Sequence, residues 1–497
     1  MTDSMNVIFL LCDTIVKAKI SPYHNRKGPY GHVRTPNMDR LASRSATFTN
    51  HWINSAPCMP ARRDLFSGRI EFPWRSWGPR ETFDPDWTLK LKQTDVSTFL
   101  FTDHGNLFDT GASNYHHFFD AYYYERGHLN DHFRVADQDK LGRIYKSVGN
   151  STEDETFVAR NLSNVAKWLD EHSETKKPFF IFIDEFDPHW PLDPPEPYKS
   201  MYLGYHSPYQ ENDGWFHSGN SENYTPGEIN WMQSQYEGKL TMVDRWIGEI
   251  LERMDKYNLW KDTVFILTTD HGEFLGEYGQ MSKGAGFSYP LFANIPLIIH
   301  YPGSPLSGEK VNELTCSVDL NATVLDIFGL KAESRSHGVS FLPLLRHLES
   351  VSRHEVLYGW WGKGFYWTDG KFLLCKAPEN PGPLYQYGVN LGEKYVGLAG
   401  AYFDRYAGAE AGRFLPHTDQ IVFRIPSDGL AYSGRKADFD ALFNLNDDPL
   451  CTQNIYSSRI DLRNQCVSAL AHAMEKLQAP GEHYQRLGLL AFKDNIY

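Results

Sequence analysis

The stretch "DTVFILTTDHGE" (262–273) sets an unbroken apolar, β-branched run against a carboxylate and an imidazole at its far end. "NVIFLLCD" (6–13) and "PFFIFIDEFDPH" (178–189) repeat the pattern. A strand apolar on both faces belongs in a parallel sheet covered on both sides, where functional side chains collect just past the carboxyl ends. Asp13, His189, Asp270 and His271 are therefore expected to converge on one rim.

Between these runs lie segments with helical spacing: "NMDRLASRSATF" (37–48) after Pro36, "DETFVARNLSNVAKWLDEH" (154–172) and "YEGKLTMVDRWIGEILERMDKY" (236–257). Strands alternating with long amphipathic helices predict an α/β domain. A further strand, "IPLIIHYPG" (295–303), precedes a helix in "VDLNATVLDIFGL" (318–330) that Gly329 closes. After "GVSFLPLL" the texture changes to short strand-like runs such as "GFYWTDGKFLLCK" (364–376), and then a helical "RIDLRNQCVSALAHAMEKLQ" (459–478). This places a large α/β domain over 1–355 and a smaller α+β C-terminal subdomain over 356–497, the split into units expected beyond roughly 250–300 residues.

Composition narrows the partners. The 497 residues are 22% charged and 41% apolar, with a formal charge of −13, which argues against nucleic acid because a phosphate backbone attracts a basic face. An anion would have to be held in a local basic pocket. No apolar run reaches the roughly 18 residues of a membrane span, and "NVIFLLC" is too short for a signal segment, so a cytoplasmic protein without a membrane partner is expected. The six cysteines are scattered, indicating neither a zinc site nor a disulfide framework. The 14% aromatic content fits well-filled cores or ring-lined clefts. Rings such as Trp360, Trp361, Tyr366 and Trp367 are read first as packing and second as the lining of a substrate pocket. The aromatic-rich C-terminal part is compatible with a homo-oligomer interface or with folding back on the main domain.

Chemistry is concentrated in "INSAPCMPARRDLFSGR" (53–69). Cys58 stands between Pro57 and Pro60 at the opening of a helical run, in a turn facing Arg62 and Arg63, a place suited to an anion and a reactive group. Asp13, Asp270 and His271 favour a divalent cation; singly, an Asp at a strand end is more often a helix cap. Lys283 lies in a Gly-rich loop and His189 among prolines.

Taken in order, "NVIFLLCD", "TPNMDRLASRSATFTNHW", "CMPAR", "DPHWPLDPPEPY", "TTDHGEFLGEYGQMSKG…IPLIIHYPG" and "GVSFLPLL" resemble the sulfatase family of the alkaline-phosphatase superfamily, over roughly residues 5 to 345. The resemblance implies a large mixed, mostly parallel sheet flanked by helices. It also implies that Cys58 is oxidised to formylglycine, by a formylglycine-generating or an anaerobic maturation enzyme, and that the aldehyde hydrate is the nucleophile. One divalent ion, Ca²⁺ or Mn²⁺, would be bound by Asp13, Cys58, Asp270 and His271. Arg62 would hold the nucleophile, Lys283 would bind sulfuryl oxygens, and His189 would contact the leaving-group oxygen.

Three departures qualify what is implied. Asp13 is followed by Thr14 where many members have a second aspartate; His271 replaces an Asn, as in phosphonate monoester hydrolases; and Ala61 stands where the modification motif favours Ser. The family's lysine–histidine stretch has its nearest match in "LFTDHGNLFDTG" (100–111), which assigns His104 and Asn106 to the substrate pocket. The expected activity is hydrolysis of a small-molecule sulfate ester through a covalent sulfo-enzyme; the alternatives are phosphonate monoester or phosphodiester hydrolysis with the same nucleophile, and a non-catalytic anion- or glycan-binding relative.

Overall fold

The computed structural model describes residues 5–24, 27–108, 113–128, 152–284, 286–389, 408–427 and 438–493. The end of the 100–111 stretch therefore lies outside the described residues.

The central strand β1 (Asn6–Cys12) is buried on both faces. Ile8, Leu10 and Cys12 pack in one core with helices Phe157–His172 and Pro226–Lys256. Val7, Phe9 and Leu11 pack in another with Phe66, Trp87 and helix Ser317–Ile327. Two-sided burial is why the strand reads as a continuous apolar run.

Beyond β1 come β2 (Ala46–Trp52), β3 (Ser55–Ala56), β4 (Ser97–Thr102), β5 (Ala121–Tyr124) and β6 (Phe179–Glu185). The main sheet runs Lys310–Val311, β2, Asn294–His300, Thr263–Thr268, β1, β6, β4, β5, with Thr315–Cys316 also pairing β2. Pairing is parallel except along Asn294–His300, which is antiparallel to both neighbours. The register sets Leu11 opposite Thr268, Cys12 opposite Glu185, and Thr102 opposite Asp184, so the residues following β1, β4, β6 and Thr263–Thr268 emerge at one edge.

Two local expectations change. The helix predicted over 37–48 is α1 (Pro36–Ala42) only, and its last residues belong to β2. The β-branched Thr47 and Thr49 are spent on pairing and hydrogen bonds at the sheet edge, a tertiary demand that overrides helical spacing. Conversely, the helix predicted from residue 236 begins ten residues earlier, at Pro226, where Thr225 and Glu228 form a capping box.

A second sheet runs Ala441–Asn444, Phe372–Lys376, Phe365–Thr368, Val356–Trp360, β3. Its outermost strand thus comes from the N-terminal part, pairing Ser55 with Gly359 and Ala56 with Trp360 immediately before residue 58. One apolar core joins Trp52, Phe72 and Phe292 to Trp360, Phe365 and Leu470. Trp360, Trp361, Tyr366 and Trp367 are all buried in it and so line packing rather than a cleft.

The turn following residue 67 is held by buried charge. Glu71 accepts from Arg69 Nε at 3.0 Å and from Arg75 Nη2 at 2.7 Å, while Arg75 also donates to Asp84 at 2.6 Å. Burial opposes the Glu71 charge, but Arg75, His417 and Arg69 together outweigh it and hold the carboxyl down at about 2. Because the folded-state value lies below the ordinary 4.5, this contribution is complete above pH 4.5 and is lost as pH falls toward 2. Glu71→Gln removes the carboxylate that Arg69 and Arg75 share and leaves Arg75 only Asp84; a loss of about 3 kcal/mol in denaturant unfolding at neutral pH is expected, shrinking in acid.

Candidate active site

Helix α2 (Cys58–Ser67) starts at Cys58, directly after β3, so residue 58 projects from a helix start at the carboxyl edge of the main sheet. Side-chain donor atoms of Asp13, Cys58, Asp270 and His271 all lie within 4.8 Å of one another, and all four residues are buried. Cys58 Sγ is 3.3 Å from His271 Nε2 and 3.9 Å from Asp13 Oδ1. His271 is oriented by its other nitrogen: Nδ1–H donates to Gly272 O at 2.8 Å, leaving the Nε2 lone pair directed at the cluster, and Phe292 stacks on the ring. Gly272 lies so close to the chain at Leu291 that a Cβ would collide with the Leu291 carbonyl.

Arg62, one turn along α2, is the cationic centre. It donates from Nη1 to Asp270 Oδ2 at 2.6 Å and, through Nε and Nη2, grips Asp184 at 2.7 and 2.6 Å. Its Nη2 also stands 3.1 Å from Asp13 Oδ2. Burial works against the Asp184 charge, yet Arg62 holds that carboxyl below the usual range. Arg63, expected to face the same site, turns away and donates to the carbonyls of Arg75 and Ser76 at 3.2 and 2.8 Å. A helix turns about 100° per residue, so only one of two adjacent arginines can point at the edge.

A divalent cation fits this donor set. Two carboxylates, an imidazole and residue 58 converge, and buried Asp13 Oδ2 makes no hydrogen bond. Burial and then the charge of Asp270 push the Asp13 carboxyl well up, the signature of crowded acidic groups with too little positive charge between them. Thr14, which follows Asp13, adopts φ 63° and donates its backbone N–H to Asp270 Oδ1 at 3.1 Å; its buried hydroxyl makes no hydrogen bond.

On the other side of Cys58, Lys283 Nζ donates to His189 Nε2 at 2.7 Å, and His189 Nδ1–H donates to Trp190 O at 2.7 Å. Burial, followed by the Lys283 charge, holds His189 well below its ordinary value, so the ring is neutral. Lys283 is raised: burial opposes its charge, but residue 58, Glu273, Asp13 and Asp270 together outweigh that. His104 sits one layer deeper, with Nδ1 3.5 Å from Asp184 Oδ1 and Nε2 accepting from Asn106 Nδ2 at 3.0 Å.

Sequence reasoning assigned no role to Asp184 or Lys239. Lys239 is buried, pairs with Asp187 at 2.6 Å, and donates to His189 O and Pro191 O, clamping the proline-rich loop. Asp184 was visible as a carboxylate inside an apolar strand, a costly placement that signals a buried partner; Lys239, in the middle of an amphipathic helix, left no such signal.

The Sulfatase family model matches residues 5–330. Over 447 residues, covering 77% of this chain and 83% of the relative, the sequence is 25% identical to the multifunctional alkaline phosphatase superfamily protein PehA of Trinickia caryophylli. It is 23% identical to an arylsulfatase of Clostridium perfringens over 371 residues, 65% of this chain and 76% of that one. The phosphonate monoester hydrolase of Agrobacterium radiobacter superimposes with a TM-score of 0.65 at 19% identity, covering 96% of this chain and 95% of that chain, so the fold is alkaline-phosphatase-like. Among the described residues no helix is long and apolar enough to cross a membrane. With its first strand, the Cys58 helix start and the Asp270–His271 strand end all inside the matched span, the chain belongs to the sulfatase family.

Proposed function

We propose that the protein hydrolyses sulfuric esters of small molecules through residue 58, once its cysteine has been oxidised to formylglycine by a maturation enzyme, with one divalent ion held by Asp13, residue 58, Asp270 and His271. The observation that carries this reading is the convergence of those four side chains, all buried, around the first residue of α2. Calcium and manganese both suit two carboxylates with one imidazole. A bound cation would supply acidity to a hydroxyl of the hydrated aldehyde and offset negative charge.

The remaining steps belong to the chain. Arg62 is pinned by three carboxylates and holds residue 58 in place through its backbone carbonyl at 3.2 Å. The deprotonated hydroxyl of residue 58 attacks sulfur and the sulfur–oxygen ester bond breaks, sulfating the residue. The leaving alkoxide takes a proton held at the Lys283–His189 contact, while the ammonium of Lys283 anchors sulfuryl oxygens. Loss of the proton from the second hydroxyl then breaks the carbon–oxygen bond, sulfate departs, the aldehyde returns and water rehydrates it. His104 and Asn106 support Asp184, which orients Arg62.

Mass spectrometry of the peptide 53–62, from protein co-produced with a maturation enzyme, tests the nucleophile. A loss of about 18 Da at residue 58, converting CH₂SH to CHO, is expected; an unmodified thiol in that preparation speaks for a binding relative. Thr14 and His271 depart from the common sulfatase pattern and favour a second reading, phosphonate monoester or phosphodiester hydrolysis. Rates on sulfate and phosphonate esters of one alcohol decide between the two, and a higher kcat/KM on the sulfate is expected. Lys283→Ala should raise the barrier by about 2–4 kcal/mol, read as a fall in kcat, if Lys283 acts on charge developing at sulfur.

A further inference from the structure

A second convergence of metal-binding side chains lies on helix Pro226–Lys256. Glu237 is fully buried at mid-helix. One of its oxygens, Oε2, receives His32 Nε2 at 2.8 Å from the segment following β1 and His206 Nε2 at 2.7 Å from the turn Leu203–His206. The donor atoms of all three residues lie within 4.8 Å of one another. Both imidazoles are 13% exposed, which leaves their side of the cluster open to water while the carboxylate beneath is closed off.

Neighbouring side chains hold this set in place. Lys19, itself buried, reaches the other Glu237 oxygen at 3.4 Å and is shared with Glu277 at 3.8 Å, so its charge does not cancel Glu237 alone. Tyr205 stacks on the His32 ring at 4.3 Å, and the His206 ring packs edge-on against it at 5.6 Å. Two histidines and one carboxylate with a water-facing fourth position make a donor set for zinc, and ligand bonds of about 2.0–2.2 Å require the two rings to spread by only about half an ångström. Imidazole pairs select such ions over calcium or magnesium.

We propose that His32, His206 and Glu237 form a site for a zinc-type transition-metal ion with its fourth position left to water, separate from the cluster around residue 58. Its consequence runs through the neighbouring residue: Tyr236 OH donates to Thr14 O at 2.8 Å and accepts from Val16 N at 2.9 Å, directly behind Asp13. An ion tying His32 and His206 to this turn of the helix braces the segment on which Asp13 is presented.

The test is zinc bound per chain, measured by equilibrium dialysis of the full-length protein with Zn²⁺ alone, against the His32→Ala/His206→Ala variant. The variant is expected to bind one ion fewer and to lose the zinc-dependent rise in melting temperature. Carbethoxylation of the wild-type protein, located by mass spectrometry, supplies the same answer without a variant: zinc should slow modification of His206 about tenfold or more, as a nitrogen lone pair held by metal is withdrawn from the reagent. Equal ion counts in the two folded proteins, or equal modification of His206 with and without zinc, overturns the proposal and leaves three hydrogen-bonded side chains.

Discussion

Cys58→Ala is expected to bring hydrolysis of any sulfuric ester down to the uncatalysed background, a fall of about 10⁵–10⁶ in kcat of the kind seen when a covalent nucleophile is removed. Alanine can be converted neither to an aldehyde nor to its hydrate, and no neighbour replaces it: Asp13, Asp270 and His271 are, in the proposed site, metal ligands, and Arg62 is paired with three carboxylates. The fold should survive, since residue 58 is held by the backbone of α2 and loses one buried sulfur, worth about 1 kcal/mol. The decisive measurement is steady-state kinetics on matched preparations whose melting temperatures agree. Near-native turnover by the variant would remove residue 58 from the mechanism altogether. Cys58→Ser separates the two halves of the proposed chemistry, because a serine hydroxyl can be sulfated but has no second hydroxyl with which to expel sulfate. A stoichiometric, persistent sulfated peptide is the result expected there.

Arg62→Met should cost about 3–5 kcal/mol in unfolding free energy and weaken divalent-ion binding at the same time. The substitution roughly keeps the volume but leaves Asp184, Asp270 and Asp13 as buried carboxylates without their common cation. The sign of the pH dependence follows from Asp184. In the wild-type protein its carboxyl is held below the ordinary 3.8, so its stabilising contribution is present above that pH and disappears as pH falls through it. In the variant the same buried carboxyl, with no guanidinium beside it, is pushed up and is relieved by protonation. The stability gap between the two proteins should therefore be widest near neutral pH and narrow toward pH 4. A gap that is constant across that range would mean that Arg62 acts by packing. Arg62→Lys keeps one charge but cannot reproduce the two-pronged grip on Asp184, so an intermediate loss is expected.

These effects depend on how little of the site is redundant. The four clustered side chains come from three segments, the residues after β1, the start of α2 and the end of Thr263–Thr268, and the strands that carry them are fixed by their register. The pairing of β3 with Val356–Trp360 ties the position of residue 58 to the second sheet, so substitutions in its apolar core act on the placement of residue 58 through β3.

Much of the fold and part of the site were legible in the residues. Apolar runs ending in Asp13, Asp270 and His271 announced parallel strands because a strand covered on both faces cannot alternate. Cys58 between prolines and beside an arginine stood out because that chemistry has no use in a core. The same local signals misled at residues 37–48, where helical spacing ran into β2, and at Arg63, where two adjacent guanidiniums read alike although a helix sends them in different directions.

The order of the strands, the antiparallel placing of Asn294–His300, the adoption of β3 by the C-terminal sheet and the grip of Asp184 on Arg62 all pair residues far apart in the chain. So do the contacts of His32, His206 and Glu237. Sequence by itself determined which residues carry chemistry and which strands are buried, because those are properties of composition and short-range period. Which carboxylate meets which cation was decided only by the tertiary structure, because register and packing, not spacing along the chain, set the distance between them.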